Sequence, residues 1–136
     1  MRLFLFGGPE EVADHQTIAQ RLKSDRLVIP QSKTFRQSAA LIGKCYAFVS
    51  VDTSPMHFAA ATKVPNQFVI ETPTLNKTVE PYGQSFIRIP NPKVAGRNLD
   101  YYRYDGKGIK ASPQEVEACM RSVTVDAVVT AVSKAM

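Results

Sequence analysis

The chain has 136 residues, enough for one domain with a real core. Its 44% hydrophobic and 21% charged residues are ordinary for a soluble globular protein, and no run of about 18 apolar residues offers a membrane-spanning helix. A net charge of +5 favours an acidic partner such as a nucleotide, a phosphorylated glycan or an anionic membrane face, yet the basic residues are spread out and no zinc-finger or RNA-recognition pattern appears, which argues against nucleic acid.

Leu3 to Phe6 is an apolar run ending at Gly7-Gly8 and reads as a buried strand and turn. Glu10 to Lys23 follows with Val12, Ile18, Ala19 and Leu22 at roughly helical spacing. Arg26 to Ile29 is a short strand stopped by Pro30, and Ser32 to Lys44 is a helix with Phe35, Ala39, Leu41 and Ile42 on its apolar side. Cys45 to Val51 is a strand, Pro55 to Thr62 a helix and Gln67 to Ile70 a strand. Glu71 to Gly83 is a loop, Phe86 to Ile89 a short strand, and 91–112 a long surface loop with a hairpin at Tyr104 to Ile109. Ser112-Pro113-Gln114-Glu115 has the form of a capping box with proline at the first helical position, so a helix starts there. Thr124 caps a last helix to Lys134, with Val125, Val128, Val129 and Val132 on its buried side. Strands alternating with helices argue for an α/β fold with a parallel sheet and helices on both faces.

Cys45 and Cys119 form no disulfide framework and no Cys/His metal spacing, which fits a reducing cytoplasm. Met1 to Phe6 is too short for a signal peptide and acids follow at once.

The most informative stretch is Val49 to Ala61. An apolar strand ends in Asp52-Thr53-Ser54, good N-cap residue types, and Pro55 suits the first turn of the helix that follows. Free N–H groups at such a helix start bind anions, and in an open α/β sheet they face the ligand crevice. His57, in the first turn, would add a donor to a phosphate. Alone, His57 is more often a structural or surface histidine, and Asp52 a cap or turn residue.

The order of the pieces says more than any one of them. Asp52-Thr53-Ser54-Pro55-Met56-His57-Phe58-Ala59-Ala60-Ala61, then Val64-Pro65, an apolar strand, Thr72-Pro73-Thr74 and Pro81-Tyr82-Gly83 resembles glycosyltransferase family nine, the ADP-heptose:lipopolysaccharide heptosyltransferase family. The family pattern is similar to D-[TS]-G-x-x-H-[LI]-A-A-A, V-P, a strand, G-P-T and P-[YFW]-G. Phe6-Gly7-Gly8-Pro9-Glu10 and Cys119 to Thr124 extend the resemblance over nearly the whole chain.

The resemblance implies a Rossmann-like three-layer αβα domain with a parallel sheet, residues 1–136 forming the C-terminal, donor-binding half of a GT-B enzyme whose N-terminal acceptor domain is absent. It implies a nucleotide-sugar donor, ADP-heptose in the first instance, and an inverting transfer in lipopolysaccharide or surface-glycan synthesis. The glycolipid acceptor would be reached through the missing domain, with the full-length protein cytoplasmic and in peripheral contact with the inner membrane face. No metal or other cofactor is expected. Glu10 would take the donor's ribose, although a helix N-terminal acid is the alternative reading. Asp52, Thr53, Ser54 and Met56 would line the diphosphate side, with Asp52 holding the turn through backbone N–H groups or facing sugar hydroxyls. His57 would stabilise the leaving nucleotide. Thr74 and Lys77 are contacts beside the donor sugar, or ordinary loop residues. The chain departs from the pattern where Ser54 replaces glycine, and where Thr72-Pro73-Thr74-Leu75-Asn76 stands for Gly-Pro-Thr-Asp-Pro, which puts the sugar's identity in question. The catalytic base is expected in the missing half, so the isolated chain should bind nucleotide and transfer little. Two other readings stand beside this one: a non-catalytic nucleotide-binding module of the same half-fold, and half of a nucleotide-sugar epimerase.

Overall fold

A computed structural model of the chain describes residues 1–74, 79–94 and 111–135. Most of the loop expected over 91–112, including the hairpin at Tyr104 to Ile109, lies outside the described residues. The chain divides into two units, Met1–Ala40 and Leu41–Met136.

In the first unit, strand β1 (Leu3–Phe4) pairs in parallel with β2 (Leu27–Val28), Leu3 opposite Leu27 and Phe4 opposite Val28. The connection is a 3-10 turn (Pro9–Glu11) followed by helix α1 (Val12–Leu22). Pro9 fits the start of that turn because its missing N–H would have no partner there. The Glu11 carboxylate accepts the Gly8 N–H at 2.7 Å, a charge-assisted bond that fixes the entry into the helix. Lys23 ends α1 in the left-handed region (φ 45°), its N–H bonded to the Ala19 carbonyl.

Helix α2 (Phe35–Ile42) begins three residues later than its polar lead-in suggests, because Thr34 is its cap. The Thr34 hydroxyl accepts the Gln37 N–H at 3.2 Å, and the Gln37 side-chain oxygen reaches back to the Lys33 N–H at 2.7 Å. Of its expected apolar side only Ile42 is fully buried, and Phe35 is 75% exposed.

The second unit is built on three parallel strands in the order β3 (Ala47–Ser50), β4 (Asn66–Ile70), β5 (Ile87–Ile89). β4 lies in the middle, which is why Gln67, Phe68 and Val69 are all buried and the strand does not alternate. Helix α3 (Ser54–Ala61) packs on β3 and β4, and α5 (Val125–Ala135) on β4 and β5. Ala59 and Ala60 are buried, so α3 approaches the sheet on small side chains. The end of α3 explains Val64-Pro65. The Val64 N–H bonds to the Ala59 carbonyl and the Lys63 N–H to the Ala60 carbonyl, a Schellman motif with Lys63 left-handed at φ 57°. Val64 supplies the buried apolar contact of that motif, and proline then bars further helix.

Helix α4 (Pro113–Met120) starts as expected: the Ser112 hydroxyl accepts the Glu115 N–H at 3.2 Å, and the Glu115 carboxylate accepts the Ser112 N–H at 2.7 Å. That backbone bond first, and the hydroxyl second, hold the Glu115 carboxyl below its ordinary range. Thr124 caps α5, its hydroxyl accepting the Ala127 N–H. The expected buried side of α5 is corrected. Val125 and Val129 are 77% and 55% exposed, and the sheltered stripe is Val128, Ala131, Val132 and Ala135, spaced as one helical face requires.

The fold is α/β with parallel strands in two sheets, one in each unit, consistent with a Rossmann-like three-layer domain of a GT-B glycosyltransferase. Among the described residues no helix is long and apolar enough to cross a membrane.

Candidate functional site

The carboxyl ends of parallel strands are where an α/β sheet leaves a crevice for ligands. At the end of β3 the chain turns through Val51-Asp52, with the Thr53 N–H bonded to the Val51 carbonyl at 2.9 Å, and enters α3 at Ser54. Thr53 is the backbone N-cap, but no side chain caps the helix, and Pro55 has no N–H to satisfy. Thr53, Ser54 and His57 are exposed at this start. Hydroxyls, an imidazole and the positive end of a helix therefore share one short surface.

Met56 is placed differently. Its side chain is fully buried against Val69, with Val79 and Phe86 beside it, and its N–H is bonded to the Thr53 carbonyl at 3.0 Å. It anchors α3 to the core rather than presenting a group to a ligand. Gln67, also buried, donates to the Met56 carbonyl at 2.8 Å and so ties β4 to the same turn of helix.

Among the described residues the Asp52 carboxylate bonds side-chain hydroxyls rather than backbone N–H groups. Its Oδ1 accepts the Thr72 hydroxyl at 2.6 Å and its Oδ2 accepts the Thr74 hydroxyl. The two threonine oxygens are 2.8 Å apart, and Thr72 Oγ1 also accepts the Thr74 N–H at 3.2 Å. Each hydroxyl has one proton, so both are spent on the carboxylate. The bonds close the end of β3 onto the segment that leaves β4. Thr74 is thus brought to Asp52, whereas Lys77 lies outside the described residues.

Glu10 belongs to the first unit. It is exposed in the 3-10 turn after Gly7-Gly8, with its carboxylate folded over Gly8: a Cβ added there would meet Glu10 Oε1 at 2.5 Å. A Cβ on Gly7 would meet the buried His15 ring at 2.4 Å, so this turn needs glycine for close approach.

A second polar network flanks the strand ends. Glu71, 8% exposed, follows β4 directly; its carboxylate accepts Arg88 of β5 at 3.0 Å and the Asn91 N–H at 3.0 Å. Arg88 also pairs with Glu80 and lies over the Phe86 ring. Asn91, fully buried, donates to the Cys119 carbonyl at 3.1 Å and accepts the Ser122 hydroxyl at 2.7 Å. Glu71, Arg88 and Asn91 are members of this network that no motif marks, and Thr72 is marked as part of a loop motif but not as a partner of Asp52. An arginine within the apolar run Phe86 to Ile89 was the available signal for an ion pair. Among the described residues no three His, Cys, Asp or Glu side chains gather as a metal centre needs.

The family model for glycosyltransferase family 9 (heptosyltransferase) matches residues 1–101, well over half of the chain. The chain belongs to glycosyltransferase family 9. No curated protein and no solved structure gives a significant match. Family 9 membership carries glycosyltransferase chemistry in general, with a nucleotide-sugar donor and an acceptor as the substrates. The matched span includes the β3–α3 turn, Thr72 and Thr74, and also Gly7 to Glu10 of the first unit.

Proposed function

We propose that this family 9 chain is the donor-binding part of an inverting glycosyltransferase, with ADP-heptose the first donor to test and lipopolysaccharide or a related surface glycan the product. The observation that carries this reading is the start of α3. Its first turn lacks a side-chain cap, it follows the carboxyl end of a parallel strand, and Thr53, Ser54 and His57 are exposed around it. A diphosphate there would accept from the Ser54 N–H, from the two hydroxyls and from His57. As the glycosidic bond breaks, negative charge grows on the leaving nucleotide, and the same donors would hold it more strongly than in the ground state. Attack on the sugar needs a base for the acceptor hydroxyl, and that role is assigned to an acceptor domain outside this chain. The net charge of +5 supports an anionic substrate and action at an anionic membrane face.

The test is thermal unfolding of the protein with millimolar ADP, UDP, GDP and CMP, each alone. A ligand that binds only the folded chain raises the midpoint as its concentration rises. A rise with one nucleotide, lost in Ser54→Pro, which removes an N–H at the helix start, supports the reading; no rise with any nucleotide contradicts it. The bond pattern at Asp52 favours one alternative, a module that binds nucleotide without transferring sugar, because the carboxylate nearest the helix start is already engaged internally.

A further inference from the structure

The Asp52 carboxylate has the geometry of an occupied diol site. One hydroxyl lies on each of its oxygens, and the two hydroxyl oxygens are 2.8 Å apart. That is the spacing of the two hydroxyls of a gauche vicinal diol, the arrangement by which a carboxylate grips a sugar. Here both hydroxyls come from the protein. Thr72, 7% exposed, is locked in place because its own oxygen accepts the Thr74 N–H, so the clip is preorganised rather than a chance meeting of flexible side chains.

We propose that Thr72 is a specificity-determining residue: with Thr74 it occupies the two-oxygen face of Asp52 and keeps that carboxylate from gripping a diol of the donor sugar. The proposal rests on the donor-site reading given above. It follows that the bound donor is held mainly through its nucleoside diphosphate, and that Asp52 is a positioning residue which fastens the 72–74 segment to the end of β3. The clip depends on the Thr72 hydroxyl, the group that engages Asp52 Oδ1.

Paired calorimetric titrations test this on the intact chain: ADP against ADP-heptose and ADP-glucose, UDP against UDP-glucose, and GDP against GDP-mannose. The quantity read is the ratio of the affinity for the sugar conjugate to that for the bare diphosphate. The wild type should show a ratio near one. Thr72→Val and Thr72→Gly, which release Oδ1, should raise the ratio about tenfold for one pair, the worth of one hydrogen bond to a charged group. Thr72→Ser keeps the hydroxyl and should leave the ratio unchanged. Asp52→Asn added to Thr72→Val should abolish the gain, which mere loosening of the loop would not explain. A wild-type ratio above about ten that Asp52→Asn erases overturns the proposal, as does a ratio indifferent to Thr72; in both cases the donor reading stands. If no diphosphate or conjugate binds the folded wild type or any variant, the donor reading falls and takes the proposal with it.

Discussion

Gln67 and Met56 meet in the interior of the second unit, where the Gln67 amide donates to the Met56 carbonyl at 2.8 Å. Met56 is fully buried and Gln67 is 2% exposed, and the other end of the amide, Oε1, has no hydrogen-bond partner among the described residues. A central strand is thereby joined to the first turn of α3, the turn on which the candidate phosphate site depends. Losing the bond costs about 1 kcal/mol, and losing the unpartnered acceptor returns a similar amount. Gln67→Met should therefore change stability by less than about 1 kcal/mol, whereas Gln67→Glu sets a buried charge against a carbonyl oxygen and should cost about 3 kcal/mol or more. Urea unfolding of the two variants separates these outcomes.

Glu71 holds more than an ion pair. Glu71→Ala strands the buried Asn91 N–H and leaves Arg88, whose side chain is 35% exposed, with Glu80 alone. A loss of about 2–3 kcal/mol is expected. Glu71→Gln keeps an oxygen for the Asn91 N–H and should cost less. Glu80→Ala removes only the outer member and should cost less than about 1 kcal/mol by the same urea assay.

Lys63 occupies the left-handed end of α3 at φ 57°, where a side chain is strained and glycine is not. Lys63→Gly should stabilise the protein by about 1 kcal/mol, read as a higher denaturant midpoint at unchanged slope. A lower midpoint would mean that the lysine side chain contributes more than its backbone costs.

Glu115 gives the acid side of the stability curve a defined contribution. Its carboxyl is held below the ordinary range by the Ser112 N–H and then by the Ser112 hydroxyl. The folded state therefore binds its proton less readily than the unfolded chain. Its contribution is present above the ordinary carboxylate range and is lost as pH falls through the depressed folded value. Glu115→Gln should be less stable than wild type near neutrality, with the gap closing in acid. Ser112→Ala removes the cap itself and should cost about 1 kcal/mol at pH 7.

The fold was legible wherever local chemistry decides it. The capping box at Ser112, the strand–turn–helix at Asp52 and the apolar runs of β3 and β4 all follow from nearest-neighbour rules. Boundaries moved where a side chain competed for the backbone, as Thr34 does at the start of α2. The outward turn of Val125 and Val129 is a matter of which helical face meets β4 and β5, and four valines on one helix do not settle that. The candidate site was legible as a turn but not as a bond pattern. Asp52 suits a cap by residue type, yet its partners stand some twenty positions away on the segment after β4, and only the pairing of β3 with β4 brings them together. Met56 carries no local mark that its side chain closes the core.

The most direct measurement is calorimetric titration of the wild type and His57→Ala with ADP, UDP, GDP and CMP. His57 is exposed in the first turn of α3, so its loss should leave the fold intact. The account predicts that one nucleotide binds and that His57→Ala weakens it about tenfold or more, as removal of a donor to a charged phosphate should. Absence of binding by the folded wild type, or binding indifferent to His57, would contradict it.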